Sequence, residues 1–342
     1  MIRVFKFGRH AHRTPLSYDA LRNYFSGKIR LVDQVNQADV IIFAHILDLE
    51  SAPHFLVEDW RRSRRAIAIL SEEPFWDTIW GKRPLDPLIY VETRYGALPV
   101  VQINHQIGAV FEFTHVPYYV LTNYRFQKAY KRMFQRNARK RASEWLRDWS
   151  ARAIDVSFMF ERRPEPYHWV QWPSANLIGL CSWRTEFAQC CNALNVERLG
   201  KSWGGKVGRF ELKTDWHADK LQKLDGRARM LGAIENTHQP RYITEKIFDA
   251  FSCGSLPIYY ANPSHKIHDY KLPTESWINV SGLSPEEASE QLREQSFDNA
   301  VAQAYVEAQQ ILLALSSNDE LWHEERKRFA RATTEALNEV CK

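Results

Sequence analysis

The hydrophobic positions of the first half of the chain form a series of short apolar runs. These runs are Met1 to Phe7, Ala38 to Leu47, Ala66 to Leu70, Leu88 to Val91 and Val100 to Ile103. Several are continuously apolar, which is typical of strands in a parallel sheet that helices cover on both faces. Because a helical pattern over residues 17–26 separates the first two runs, the chain begins as a β-α-β unit and predicts a doubly wound α/β domain.

A second series of apolar runs with the same character begins near Ile154. Its members are Asp155 to Phe160, Val196 to Gly200, Met230 to Ile234, Ser255 to Tyr260 and Trp277 to Val280. The sequence therefore predicts two α/β domains in tandem, residues 1–150 and 151–342, each long enough to bury a core.

Helices are predicted to complete the second domain. Ser284-Pro285-Glu286-Glu287 is a strong helix start, because Ser can cap the helix, Pro suits its first position and the second Glu closes a capping box. Residues 302–315 and 319–337 are helical by their periodicity.

Residues 126–150 form a basic, helical linker at the predicted domain boundary. Its cationic residues are Lys128, Lys131, Arg132, Arg136, Arg139, Lys140, Arg141 and Arg147. One interpretation is a solvated connecting helix. The other is a patch that contacts anionic lipid headgroups or an acidic acceptor.

Composition narrows the class of protein. The 46 Lys and Arg against 41 Asp and Glu give a net charge of only +5, and no nucleic-acid motif accompanies it, so we expect no nucleic-acid partner. No apolar run approaches the roughly 20 residues that span a bilayer. The five Cys are loosely spaced and odd in number, which argues against a disulfide scaffold and favours a cytoplasmic location.

The segment from Ala233 to Pro263, AIENTHQPRYITEKIFDAFSCGSLPIYYANP, is the most informative. It predicts strand, loop, helix, turn and strand, with Thr244 capping the helix and Gly254 ending it. Glu245 and Lys246 fall in the first turn, where the helix N-terminus and a Lys suit a diphosphate and a Glu can accept bonds from ribose hydroxyls. The alternative is a surface helix whose Glu and Lys are merely solvated.

This segment resembles the donor-binding motif of the α-1,3/1,4-fucosyltransferases, glycosyltransferase family 10. The similar residues are E-N-T-H-x-x-x-Y-I-T-E-K-I-F-D-A-F and the following P-I-Y-Y. Further segments occur in the family's order: Ser71-Glu72-Glu73-Pro74 after an apolar strand, Asn104 with Phe111-Glu112-Phe113 and Pro117-Tyr118, and Arg184 followed by Leu199-Gly200-Lys201. The resemblance covers roughly residues 65–280, and the stretch before Arg184 is longer than is usual in the family.

The resemblance implies a fold of two Rossmann-like domains, the GT-B type, with an interdomain cleft. It also implies GDP-fucose as donor substrate, with neither a metal ion nor another cofactor. Carried over to this chain, the family's residues are Glu72 as general base, Arg184 and Lys246 on the diphosphate, Glu245 on the ribose, and Asn236 and Tyr242 elsewhere in the donor pocket. We expect Glu235 to order the loop that contains Asn236.

Inverting glycosyl transfer needs a base for the acceptor hydroxyl, and a Glu at the end of a buried strand can serve. Glu72 and Glu73 are expected to point to opposite sides if strand geometry continues through them. The family register favours Glu72, the alternative is Glu73, and Glu112 is the next carboxylate to consider.

Other candidate residues carry weaker signals. No Asp-x-Asp occurs, and His10 and His12 lack nearby partners for a metal, so we expect no metal site and a solvated basic loop instead. Trp76 and Trp80 could stack on an acceptor sugar, but ordinary packing is the simpler interpretation. His105 and His115 could contact the acceptor, and the alternative is that they are structural histidines whose hydrogen bonds are satisfied within the protein.

The leading hypothesis is an inverting fucosyltransferase acting on an oligosaccharide or lipid-linked glycan, such as lipopolysaccharide or O-antigen. It would be cytoplasmic, with a peripheral contact at the inner face of the membrane as a further expectation. The alternatives are a transferase of the same fold with another nucleotide sugar, and a non-catalytic protein that binds nucleic acid or glycan.

Overall fold

A computed structural model describes residues 1–204 and 215–342. The chain divides into two compact units: unit 1 is Met1–Tyr124 with Asp319–Lys342, and unit 2 is Arg125–Asn318. The sequence places this boundary near residue 150 and the last helix in the second domain. The difference has a packing origin, because Phe329 of the last helix packs on Phe111 and Tyr118 of unit 1.

Unit 1 is built on a six-stranded sheet with the strand order β2-β1-β3-β4-β6-β5. Its strands are β1 (Ile2–Lys6), β2 (Ile29–Leu31), β3 (Val40–Phe43), β4 (Ala66–Leu70), β5 (Leu88–Thr93) and β6 (Gly96–Ile103). All neighbours are parallel except the β5–β6 pair. All four residues of β3 are buried, which is why the run from which it comes is continuously apolar.

The α-helices of unit 1 are short except for the last. They are α1 (Asp19–Arg22), α2 (Ile46–Glu50), α3 (His54–Ser63), α4 (Pro74–Trp76), α5 (Tyr118–Leu121) and α13 (Asp319–Val340). A helix over residues 17–26 is wrong in extent, because α1 spans only four residues. The predicted strand 38–47 is too long, because His45 caps α2 through a bond from the Leu47 N–H to its Nδ1.

Unit 2 contains a five-stranded parallel sheet and a small antiparallel one. The parallel sheet has the order β10-β7-β11-β13-β14, with β7 (Ile154–Met159), β10 (Val196–Leu199), β11 (Ala228–Gly232), β13 (Leu256–Tyr259) and β14 (Ile278–Asn279). The antiparallel sheet has the order β12-β9-β8, with β8 (Gln171–Trp172), β9 (Leu177–Gly179) and β12 (Thr237–His238). The extra length before Arg184 therefore forms a hairpin that pairs with the strand directly after Asn236.

Seven α-helices of unit 2 lie within the described ranges. They are α6 (Tyr124–Asn137), α7 (Ala142–Ser150), α8 (Cys181–Cys190), α9 (Trp216–Leu224), α10 (Glu245–Ser252), α11 (Pro285–Glu294) and α12 (Asn299–Ser317). The capping box of α11 is confirmed: the Glu287 N–H donates to Ser284 Oγ at 3.2 Å, and the Ser284 N–H donates to Glu287 Oε2 at 2.8 Å.

The basic linker becomes α6 and α7, and part of its charge is neutralised within unit 2. Arg136 donates to both carboxylate oxygens of Asp225, at 2.5 and 2.7 Å, and Lys140 pairs with Asp148. In the part of the chain described, no helix combines the length and apolar composition needed to cross a bilayer. Two units with mostly parallel sheets confirm the predicted α/β class.

Candidate functional site

Glu72 lies just after β4 in unit 1, and its carboxylate is surrounded by donors. It accepts from Arg13 Nε at 2.5 Å, from the Tyr18 hydroxyl at 2.7 and 2.9 Å, and from the Tyr118 hydroxyl at 2.6 Å. Only 1% of the residue is exposed. A buried carboxylate with a guanidinium and two hydroxyls around it has its charge compensated inside the protein.

Glu73 reaches the same guanidinium as Glu72. Its Oε2 lies 3.3 Å from Arg13 Nη2, and its side chain is 10% exposed against 1% for Glu72. The expectation that the two carboxylates point to opposite sides is therefore wrong. Strand geometry stops at Leu70, and Pro74 already begins α4, so the alternation of a strand does not apply to these residues.

The loop after β1 delivers Arg13 to these carboxylates. Buried Asp48 accepts from the His10 backbone N–H at 2.8 Å and contacts its Nδ1 at 3.0 Å. Gly8 adopts a φ of +108°, and a Cβ there would lie 2.3 Å from Asp48 Oδ2, so the loop requires glycine. His10 is thus anchored rather than simply solvated. Within residues 1–204 and 215–342, no three His, Cys, Asp or Glu side chains are grouped to hold a metal ion.

The aromatic and histidine candidates of unit 1 are engaged in packing. Arg13 lies 4.8 Å above the Trp76 ring, and His45 packs on Trp76 and Trp80 at 4.6 and 5.2 Å. His105 stacks on Phe111 at 4.2 Å, and burial lowers its pKa to about 3. Its Nε2 lies 3.1 Å from the Glu72 carbonyl oxygen and helps to fix the backbone there.

In unit 2, Lys246 lies among acceptors at the start of α10. Its ammonium is 2.7 Å from Glu235 Oε2, 2.8 Å from Thr244 Oγ1 and 3.7 Å from Glu245 Oε1. Burial alone would lower the pKa of Lys246, but the Glu235 and Glu245 carboxylates raise it above the ordinary 10.5. Lys246 is therefore a fixed positive charge at neutral pH.

Glu235 ties the loop after β11 to the start of α10. Its carboxylate accepts from the Thr244 N–H at 2.8 Å and from the Thr244 hydroxyl at 2.7 and 2.9 Å. Glu235 thus orders the loop, as predicted. Thr244 is the residue before the helix, but its hydroxyl bonds Glu235 instead of the helix N–H groups, so side-chain capping by Thr244 is wrong.

The remaining predicted donor residues lie on the same motif or contact it. Arg184 on α8 is buried and donates from Nη1 to the Ile234 carbonyl at 3.2 Å, while its guanidinium lies 4.7 Å above the Phe160 ring. The Asn236 carbonyl accepts from the Leu180 N–H at 2.9 Å. Tyr242 is buried in the loop between β12 and α10.

Glu245 has a second cation beside it that the sequence did not reveal. Its Oε1 lies 3.5 Å from Lys220 Nζ as well as 3.7 Å from Lys246 Nζ. Lys220 lies on α9, and nothing in its own sequence neighbourhood distinguishes it. Tyr18 was missed for the same reason, because only the fold brings it to Glu72.

A family model matches the second half of the chain. Residues 170–336 match glycosyltransferase family 10 (fucosyltransferase), C-terminal. This region, just under half of the chain, contains Arg184, Glu235, Asn236, Tyr242, Glu245 and Lys246.

Curated relatives match shorter regions. The chain is 34% identical over 117 residues to human GDP-fucose protein O-fucosyltransferase 3, covering 33% of this chain and 24% of the relative. It is 34% identical over 74 residues to mouse 4-galactosyl-N-acetylglucosaminide 3-alpha-L-fucosyltransferase 9, covering 21% of this chain and 20% of the relative. The chain thus spans about a quarter or less of the length of these relatives.

Among solved structures, an alpha1,3-fucosyltransferase with GDP-fucose aligns over 90% of this chain and 81% of its own, with 14% identity and a TM-score of 0.43. A UDP-forming trehalose-phosphate synthase from Burkholderia vietnamiensis aligns over 87% and 71%, with a TM-score of 0.38. The family match, over the region that carries Lys246 and its carboxylate partners Glu235 and Glu245, confirms that this chain resembles the glycosyltransferase family 10 fucosyltransferases.

Proposed function

We propose that the protein is an inverting fucosyltransferase that moves L-fucose from GDP-fucose to a hydroxyl of a glycan. The observation that carries the proposal is the position of Lys246. It is a charged ammonium between two carboxylates at the N-terminus of α10, inside the segment that matches the fucosyltransferase family.

Unit 2 supplies the donor-binding groups in this proposal. Lys246 and Arg184 bind the diphosphate, the former as a point charge and the latter as a planar fork, and the N-terminus of α10 adds its partial positive charge. Glu245 accepts from ribose hydroxyls. Asn236 and Tyr242 complete the pocket.

Glu72 of unit 1 is the proposed base. It takes the proton of the acceptor hydroxyl as that oxygen attacks the anomeric carbon of fucose. The bond to the diphosphate breaks at the same time, and its electron pair leaves with GDP, which Lys246 and Arg184 stabilise. Attack opposite the leaving group inverts the anomeric carbon.

The groups that contact Glu72 support its assignment as the base. Two of its donors are hydroxyl groups, those of Tyr18 and Tyr118, so its oxygens already accept the kind of bond that an acceptor sugar would offer. Arg13 places a positive charge beside the same carboxylate. Glu73 is the alternative base.

We further propose that the reaction needs neither a metal ion nor another cofactor, because Lys246, Arg184 and the helix N-terminus supply the positive charge that the leaving diphosphate requires. Activity is then expected to survive EDTA. Loss of turnover with EDTA and recovery with Mg²⁺ or Mn²⁺ would contradict this part of the proposal.

The proposed acceptor is a lipopolysaccharide, O-antigen or related surface oligosaccharide. The enzyme would then work in the cytoplasm, with the basic residues of α6 and α7 contacting the inner face of the membrane. A second candidate acceptor is a protein hydroxyl, because one of the relatives is named a protein O-fucosyltransferase.

A product assay tests the proposal. GDP-fucose is incubated with oligosaccharide acceptors and, in parallel, with unmodified Ser- and Thr-containing protein domains, and products are identified by mass spectrometry. A gain of one deoxyhexose on an oligosaccharide is the expected result, and NMR then shows whether the new linkage is α, as inversion requires. Transfer from another nucleotide sugar but not from GDP-fucose would overturn the donor assignment.

A further inference from the structure

A buried polar cluster lies behind Glu245 in unit 2, centred on Asp249. Asp249 is fully buried and accepts from the Tyr130 hydroxyl at 2.8 Å and from His217 Nε2 at 2.7 Å, and its other oxygen lies 2.7 Å from Lys220 Nζ. Burial alone would raise the pKa of Asp249, but Lys220 and His217 lower it below its ordinary value. The carboxylate is therefore ionised, and Lys220 is its cationic partner.

Lys220 also reaches the residue proposed to bind ribose. Glu245 and Asp249 are four residues apart on α10, so their carboxylates lie on the same face of the helix, where like charges repel. Lys220 Nζ lies 2.7 Å from Asp249 Oδ2 and 3.5 Å from Glu245 Oε1. Its side chain is only 12% exposed, which keeps this charge out of bulk water.

The lysine is itself held in place. His217 and Lys220 are one turn apart on α9, and both contact Asp249. Tyr130 on α6 completes the cluster, and its hydroxyl also lies 3.3 Å from the Glu245 carbonyl oxygen. Three helices thus fix the position of one ammonium group beside Glu245.

We propose that Lys220, held by Asp249, is a positioning residue that orients the Glu245 carboxylate toward the ribose hydroxyls of the donor nucleotide. This inference rests on the proposed function and extends it, since Lys220 belongs to none of the motifs of the chain that resemble the family. It predicts that recognition of the ribose, and not only overall affinity, depends on Lys220.

Titration calorimetry with two nucleotides tests this role. GDP and 2′,3′-dideoxy-GDP are compared in the wild type, in Lys220→Met and in Lys220→Arg. A hydrogen bond to a charged group contributes about 1.5–3 kcal/mol, so the wild type is expected to prefer GDP by roughly 10- to 150-fold. Lys220→Met is expected to lower that preference to below about threefold while binding the dideoxy nucleotide nearly as well as the wild type does. Lys220→Arg is expected to retain most of the preference.

Two further variants complete the design. Lys223→Met removes an exposed lysine of the same helix that pairs with Asp219 one turn away, and is expected to keep the wild-type preference. If Lys220→Met fails to fold, Lys220→Gln, which keeps a donor for Asp249 and removes the charge, is measured in its place.

The outcomes separate the two proposals. A wild-type preference for GDP that persists unchanged in Lys220→Met would overturn the positioning role and leave the donor assignment intact. A wild type that binds GDP and the dideoxy nucleotide equally would overturn the ribose role of Glu245 and the role of Lys220 with it. A wild type that binds no GDP would overturn the proposed function itself.

Discussion

Each unit contains one buried carboxylate that we propose acts directly on a substrate, Glu72 in unit 1 and Glu245 in unit 2, and the surroundings of the two differ. Glu72 of unit 1 is compensated by one guanidinium and two tyrosine hydroxyls. Glu245 of unit 2 lies near two ammonium groups, Lys220 and Lys246, at 3.5 and 3.7 Å. Glu72 thus has two O–H donors at hydrogen-bonding distance, whereas Glu245 has two cations within 4 Å.

The difference fits the two kinds of chemistry. A base must exchange a proton with a hydroxyl, and hydroxyl donors around Glu72 can be replaced by an acceptor hydroxyl at little electrostatic cost. A donor site must receive a diphosphate, and lysines fixed by buried carboxylates are positioned before the anion arrives. The predictions below test whether this contrast has functional meaning.

The largest effect is expected at Glu72. Glu72→Gln preserves the shape and size of the side chain but cannot take up a proton at neutral pH, so kcat should fall by about 10²- to 10⁴-fold with donor affinity unchanged. Steady-state kinetics with GDP-fucose, together with GDP titration, measure both quantities.

Glu73→Gln is the matched control, because Glu73 contacts the same Arg13. It is expected to cost less than about tenfold in kcat. If Glu73→Gln were inactive and Glu72→Gln nearly normal, the base would be Glu73. Full activity in both would direct attention to Glu112.

A smaller effect is expected in unit 2, and it should appear in donor affinity instead of kcat. Lys246→Ala removes a charge that the diphosphate needs and should weaken GDP binding by roughly 10- to 150-fold, or about 1.5–3 kcal/mol. Lys223→Ala serves as control, since this lysine is half exposed. Unchanged GDP affinity in Lys246→Ala would mean that the donor binds elsewhere.

Each unit also has a tyrosine whose hydroxyl donates to a buried carboxylate. Tyr118→Phe and Tyr130→Phe each remove a hydroxyl that donates to a buried carboxylate, Glu72 or Asp249, so each should destabilise its unit by about 1–3 kcal/mol. We expect Tyr118→Phe to change kcat and Tyr130→Phe to change donor affinity, each by about three- to tenfold. Thermal melting and kinetics measure the effects, with exposed Tyr90→Phe as control. The same kinetic change in both variants would contradict the contrast.

The smallest effect concerns pH. His45 in unit 1 and His265 in unit 2 each accept a backbone N–H at Nδ1, and burial lowers their pKa values to about 4 and about 3. Because the unfolded chain takes up the proton first, near pH 6.5, their contribution to stability is complete above that pH and is lost as pH falls toward the folded pKa.

Asn can replace these imidazoles as a cap without titrating. His45→Asn and His265→Asn should each reduce the loss of stability between pH 6.5 and 5.5 by about 1 kcal/mol, measured as melting temperature against pH. Identical pH slopes in the wild type and both variants would show that these histidines do not titrate on unfolding.

The sequence predicts much of this architecture, because buried parallel strands such as β3 and β4 are continuous apolar runs. It also predicts that Glu235 orders the loop that contains Asn236, because both residues belong to one strand-loop-helix motif. The sequence did not predict contacts between residues that are far apart along the chain. Lys220 meets Glu245 across 25 residues and Tyr18 meets Glu72 across 54, and neither has a local pattern that announces its partner. The sequence also predicts the position of Thr244 directly before α10, but not that its hydroxyl bonds Glu235 instead of the helix N–H groups.

Ligand-dependent melting of the wild-type chain shows whether unit 2 binds the GDP part of the donor. GDP, UDP, CDP and CMP are compared at equal concentrations, since a selective ligand stabilises the folded protein by mass action, by about 2.7 kcal/mol at 100 times its Kd. GDP is expected to raise the melting temperature of the wild type well above the values with the other three nucleotides, and to lose this effect in Lys246→Ala. Equal stabilisation by all four, or stabilisation by GDP that survives in Lys246→Ala, would contradict this expectation.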